Sequence, residues 1–339
     1  IPNDGAGAGK QLGEAALPSA IRACFPVHAK GCRFMANFSN ARNSADGGTV
    51  RVQDSAGGST FTNCLWAGNV IRQIWNLCQS ETAALAIKLS STASKVDVVN
   101  CTFAYNLGGE TSVATGINLM NGTLNLANSV FVGNRASKSP TFPGTDLNVN
   151  AGSVCHARYT VFEKTGTGSV TIFDGATYDE VGIIRSDAKL VTPLADMLSS
   201  IVYNGNFPYY GTDEATLVPK LMKIDTHVLS TEGYLSNGVW RTASVLSPAI
   251  DAGDPAMSVG DEHSPNGGTV NAGWYGGTAE ASKTPFGIPA VTAASVEFFE
   301  TIPRPSVVFA VGGEGEFTAT AVLDIYTNGV KCYTSEPLT

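Results

Sequence analysis

Charge is scarce in this chain: only 15% of its 339 residues are Asp, Glu, Lys or Arg, against about 25% in ordinary soluble domains. That composition argues against a cytosolic helical enzyme. The charge present sums to −8, which disfavours a nucleic-acid or anionic-membrane partner, since both need basic surface. No apolar run approaches the roughly 18 residues of a helical membrane span, so none is expected. Ile1 opens no leader of charged start, apolar block and cleavage site, as expected of a mature secreted chain or an excised piece. Metal-binding spacings are missing too: there is no C-x-x-C, no H-x-x-x-H and no EF-hand loop. The Gly5-to-Lys10 run lacks a preceding strand and a following Ser or Thr, and so reads as an extended lead-in rather than a phosphate loop.

What the chain has is a repeat. Cys101-Thr-Phe103-Ala-Tyr-Asn106 recurs as Cys32-Arg-Phe34-Met-Ala-Asn37, as Cys64-Leu-Trp66-Ala-Gly-Asn69 and as Ser129-Val-Phe131-Val-Gly-Asn134, with a worn copy at Thr160-Val-Phe162. The steps between these starting residues are 32, 37, 28 and 31. A period of that size without helical patterning marks a solenoid whose repeats stack as coils. Pairs two apart, apolar except for Ser59, precede each copy (Val27 and Ala29, Ser59 and Phe61, Val96 and Val98, Leu124 and Leu126, Cys155 and Ala157), the pattern of a strand with one buried face. Gly31, Asn63, Asn100, Asn128 and Tyr159 then mark a corner suited to left-handed backbone. A further strand is read upstream at Val50 and Val52, at Leu85 to Leu89, at Ile117 and Leu119, at Leu147 and Val149, and at Val170 and Ile172. The expected fold is all-β, a right-handed parallel β-helix with an N-terminal cap and a short β-rich C-terminal tail. Aligned coils, about 4.8 Å apart, should build a sulfur and hydroxyl row, an aromatic stack and an asparagine ladder.

Three regions follow: 1–24 as lead-in and cap, 25–284 as β-helix with a closing segment at 247–283, and 285–339 as a tail. Residues 178–240 read as further coils with large insertions, and Phe207, Tyr209 and Tyr210 there are candidates to stack on sugar rings. Of the seven cysteines, Cys32, Cys64 and Cys101 read as buried apolar residues, whereas any disulfide would draw on Cys24, Cys78, Cys155 and Cys332. Asp251, Asp254, Asp261 and Glu262 place four carboxylates within twelve residues. No resident cofactor is expected, although calcium could be held there through oxygen ligands; the alternative is that Asp251 and Asp254 bond to nearby backbone in turns. Trp274 and Tyr275 are expected to cover the last coil.

The segment Ser247-Pro-Ala-Ile-Asp251-Ala-Gly-Asp254-Pro, with Pro265-Asn-Gly-Gly-Thr-Val-Asn271-Ala-Gly-Trp-Tyr-Gly-Gly-Thr-Ala-Glu280, resembles the closing segment of bacterial right-handed parallel β-helix repeat proteins. The coils are similar to the repeats of that family and of polymorphic outer-membrane adhesins. Thr269 stands where the family pattern has Arg. The resemblance implies a pectate-lyase-like fold and a secreted or cell-surface location, and is neutral on catalysis. The lyase pattern R-x-P-x-x-R and the polygalacturonase signatures are absent. Between the buried pairs, the outward row reads His28, Thr60, Asp97, Asn125, His156, followed by Lys30, Thr62, Val99, Ala127, Arg158. His156 and Arg158, with Lys164 and Asp174 nearby, are therefore the catalytic candidates; His227 and His263 suggest nothing specific. Two functions follow. One is an extracellular structural or adhesive rod, self-assembling as a homo-oligomer or filament through its ends or through residues 285–339. The other is a polysaccharide-active enzyme or sugar-binding module.

Overall fold

In the computed structural model the described residues are 20–41, 48–73, 83–108, 114–135, 146–163, 169–204, 207–210, 214–285, 290–297, 306–312, 324–327 and 330–334. Three sheets, each of six strands and parallel throughout, wind around a common interior. The first holds Ile21–Ala23, Val50–Asp54, Leu85–Leu89, Ile117–Asn121, Leu147–Val149 and Val170–Ile172; the second His28–Lys30, Ser59–Thr62, Lys95–Val99, Thr123–Ala127, Val154–Arg158 and Thr177–Val181; the third Arg33–Met35, Leu65–Ala67, Thr102–Ala104, Val130–Val132, Val161–Phe162 and Ile184–Arg185. One strand from each sheet makes a coil, and the chain is a parallel β-helix of six coils.

Period-two alternation sends one face of each strand inward. Val96 and Val98, Leu124 and Leu126, and Ile117 and Leu119 are buried in one continuous core. Between the second and third sheets the chain always turns in two residues, and the first of them holds positive φ: Gly31 at 65°, Asn63 at 48°, Asn100 at 49°, Asn128 at 48° and Tyr159 at 47°. Asn tolerates this conformation better than other side chains because its short amide bonds locally. The crossing back from the third sheet to the first is elastic by contrast, from seven residues (163–169) to seventeen (68–84). The uneven repeat step is absorbed there and in the shorter crossing from first sheet to second.

The expected columns form. Phe34, Trp66, Phe103, Phe131 and Phe162 stack with centroids 5.0, 4.6, 4.7 and 4.9 Å apart, each contact contributing about 0.5–1.5 kcal/mol beyond area burial. The Nδ2 of Asn37, Asn69 and Asn106 donates to the Oδ1 of the asparagine one coil on, at 2.8, 2.8 and 2.9 Å. Asn69 and Asn106 also donate to the Phe34 and Trp66 carbonyls of the preceding coil, and their own Oδ1 accepts a backbone N–H from that coil. These buried amides thus leave no polar atom unpaired, which is what makes them affordable inside. In the sulfur and hydroxyl row the Cys64 N–H donates to Cys101 Sγ, the Cys101 N–H to Ser129 Oγ and the Ser129 N–H to Thr160 Oγ1. Cys24, Cys32, Cys64, Cys101 and Cys155 are free thiols. Cys155 points into the core, where burial pushes its thiol up, so it is no disulfide partner; Cys78 lies outside the described residues.

Two expectations fail. Beyond Thr177–Arg185 the described residues make no further coil. The chain leaves the β-helix through the helices Leu194–Ser199 and Glu214–Leu221 and the hairpins Ile201–Asn204 with Phe207–Tyr210 and Tyr234–Ser236 with Val239–Arg241. Leu190, Met197, Leu217, Leu221, Ile250 and Trp274 form a second core against the outward residues of the third sheet, such as Leu65, Val130 and Val161. Those outward positions are apolar, so the sheet demands a cover, and that demand outweighs continuation of the coil. The closing segment, secondly, does not plug the last coil. It runs along the flank: Asn63 Nδ2 donates to the Trp274 and Gly276 carbonyls, Asn100 Nδ2 to Gly276, and Asn128 Oδ1 accepts from the Asp254 N–H. The corner asparagines therefore serve twice, once as left-handed residues and once as hooks. The last coil ends instead on polar side chains. Arg185 stands in register on Phe162, and both Arg185 Nη2 and Tyr178 Oη donate to Glu180 Oε2 at 2.7 Å.

Residues 286–339 form a separate compact unit. In it Ala290–Glu297 pairs antiparallel with Ser306–Gly312, and Asp324–Thr327 with Val330–Thr334. The N-terminal cap expected over 1–24 falls mostly outside the described residues.

Candidate functional site on the outer face of the second sheet

Strand register places one outward residue per coil in a straight row: His28, Thr60, Asp97, Asn125, His156 and Asp179. Neighbours bond along it. His28 Nδ1 lies 3.0 Å from Thr60 Oγ1, Asn125 Nδ2 donates to Asp97 Oδ1 at 2.7 Å, and His156 Nδ1 lies 2.5 Å from Asp179 Oδ2. Arg158, in the parallel outward row, forms an ion pair with Asp179 Oδ1. The His156 and Arg158 side chains are thus brought together, but by Asp179, a partner supplied by the sixth coil that the fading repeat concealed in sequence. Asp174 sits in an exposed turn, and Lys164 lies outside the described residues. The hydrogen bond with His156, reinforced by Arg158, holds the Asp179 carboxyl below the usual carboxylate range. His156 and Asp179 remain 39% and 45% exposed.

The acidic group in the closing segment does not converge. Asp254 Oδ1 accepts from the Ala256 N–H as a turn bond, Asp261 is exposed, and Asp251 Oδ1 accepts from Thr284 Oγ1. Glu262 is buried at 6% exposure and its Oε1 accepts the Asn271 and Gly277 N–H groups, both at 2.8 Å. Burial, only partly offset by those two donors, pushes it up to about 7. Among the described residues no three His, Cys, Asp or Glu side chains gather as a metal site would require. The backbones of Phe207, Tyr209 and Tyr210 lie in a hairpin strand, and their side chains fall outside the described residues.

One arrangement was not legible in sequence. His227 Nδ1 lies 2.6 Å from Asp225 Oδ1, its ring stacks on Tyr275 at 3.6 Å, and Ser236 Oγ donates to Asp225 Oδ2. Burial works to raise the Asp225 carboxyl, but the bonds from the His227 ring and backbone N–H outweigh it and hold it low. An imidazole oriented by a carboxylate resembles half of a nucleophilic triad. Here, however, the His227 side chain is 7% exposed. The adjoining cavity lined by Thr102, Thr226 and Ser282 holds about 10 Å³, the room of one water. Its geometry fastens the closing segment. Comparison with protein-family models, with curated proteins and with solved structures found no match.

Proposed function

We propose that this chain is an extracellular structural and adhesive protein whose β-helix is a rigid shaft presenting a polar face, rather than an enzyme. The observation that carries the reading is the pairing of Asp179 with both His156 and Arg158. A carboxylate acting as general base needs a pKa raised toward neutrality and a free lone pair; Asp179 has its pKa lowered and both oxygens engaged, one of them by Arg158, as befits an ion-pair partner. The hydroxyl, carboxylate, amide and imidazole groups of Thr60, Asp97, Asn125 and His156 instead stand on successive coils of a half-buried outer face, about the 4.8 Å strand spacing apart, which suits a chain of hydroxyl groups. A net charge of −8 favours a neutral polysaccharide over a polyanion. The likeness of the coils and closing segment to bacterial β-helix repeat proteins and adhesins supports the cell-surface setting.

The test is a pull-down on insoluble neutral polysaccharides, with a reducing-sugar and unsaturated-product assay on the same samples. Binding that falls at least about tenfold in Asn125→Ala/His156→Ala, equal to about 1.4 kcal/mol, without product release, is expected. Product formation abolished by His156→Ala would overturn the reading in favour of an enzyme.

A further inference from the structure

The two ends of the coil stack are unlike in charge. Between Ala20 and Asn37 the first coil carries Arg22, His28, Lys30 and Arg33 and no carboxylate, whereas between Ser169 and Arg185 the last carries Asp174, Asp179 and Glu180 against the single cation Arg185. Among the described residues, all three sheets finish on these coils, with Ile21–Ala23, His28–Lys30 and Arg33–Met35 at one end and Val170–Ile172, Thr177–Val181 and Ile184–Arg185 at the other. Apolar side chains are left uncovered at both. Phe25 is 76% exposed in the first coil, and Ile172 is 50% exposed in the last. Ile172 occupies the row that is inward and buried at Ile87, Leu119 and Val149; it is exposed because no seventh coil lies on it.

We propose that the acidic end is a docking surface for the basic first coil of a second copy of this chain, so that copies add head to tail. The inference rests on the structural reading above and names its partner. Sheet edges are templates for another strand, and parallel coils of one chain share a cross-section. Continuing each row across the junction sets Ala23 of the second copy on Ile172, His28 opposite Asp179 and Lys30 on Val181. Like ends repel, since each would bring charges of one sign together, and unlike ends attract. The occupant is therefore a first coil rather than the 286–339 unit, whose carboxylates outnumber its cations. A contact between two different patches is heterologous, and because this junction continues the stacking direction of the coils it extends as an open filament rather than closing into a ring.

Sedimentation and negative-stain microscopy of the full chain at about 50 mM and about 500 mM salt test this, because screening over a shorter Debye length weakens the junction. Growth with concentration at low salt and at least about tenfold weaker association at high salt are expected. Arg22→Glu/Lys30→Glu and Asp174→Lys/Asp179→Lys, each checked for an unchanged melting transition, should be monomeric alone. Mixed one to one they should assemble again, because each reversed end now meets a reversed partner. Association that persists in both variants would overturn the junction and move it to residues 286–339, leaving the structural function standing. A monomer that still binds polysaccharide overturns this inference alone; a monomer that binds none overturns both.

Discussion

At the scale of single residues the interior of the coil stack allows little substitution. Asn106→Ala would remove two donors and a doubly used acceptor from a site with 0% exposure, leaving the Asn69 amide and the Trp66 carbonyl unpaired. A loss of about 2–4 kcal/mol in urea unfolding is expected. Phe103→Ala opens a gap between Trp66 and Phe131 and should cost about 3–5 kcal/mol. Glu262 gives a pH signature. Its ordinary pKa of 4.5 is raised by burial to about 7 in the folded chain, so the group costs nothing below about pH 4.5, where folded and unfolded chains are both protonated. As pH rises the unfolded chain ionises first; stability falls until the folded form ionises near 7, and is level above. The melting temperature of the native protein minus that of Glu262→Gln should therefore drop between about pH 4.5 and 7. A constant difference would show that Glu262 is not raised. Asp179, Glu180 and Asp225, held low, act in the opposite sense at more acidic pH, which is why the difference is the quantity to read.

Among elements, the closing segment depends on corners built for another purpose. Asn63→Gly keeps the left-handed turn while removing the bonds to Trp274 and Gly276, and Asn100→Gly removes the second bond to Gly276. The double variant should leave the coil transition nearly unchanged but make residues 251–284 cleavable by protease at least about tenfold faster. Equal cleavage would mean that the Arg33 contact over Trp274 and the apolar cover are sufficient. This contrast also explains what the sequence could disclose. Strands, corners and inward columns were legible because each is enforced locally, by alternation or by a left-handed φ, and then repeated. The path of residues 186–284 was not, because it is set by the apolar outward face of the third sheet. Leu65, Val130 and Val161 signalled that face, but residues dispersed over three coils form no local pattern. The closing motif was visible as a motif and misplaced as a plug for the same reason.

For the molecule as a whole, stacking makes each coil draw much of its stability from its neighbours. The central coils have two and the sixth has one, topped by the half-exposed Glu180–Arg185 pair. In hydrogen exchange the amides of Thr177–Val181 should therefore open at least about tenfold faster than those of Lys95–Val99 and Thr123–Ala127, with Val154–Arg158 between them. Uniform protection would show instead a single cooperative unit. At this scale the candidate site was half legible: the outward row with His156 and Arg158 followed from the repeat, but Asp179, which fixes their chemistry, lay on the coil where the repeat had lost its aromatic. The two crossings with tolerant length and the one corner fixed at two residues carry a practical consequence. A foreign peptide spliced between the third sheet and the next coil's first strand would be displayed on the outside without shifting any column. Several such insertions on successive coils would sit about one strand spacing apart, making this chain a ruler on which grafted epitopes can be arrayed.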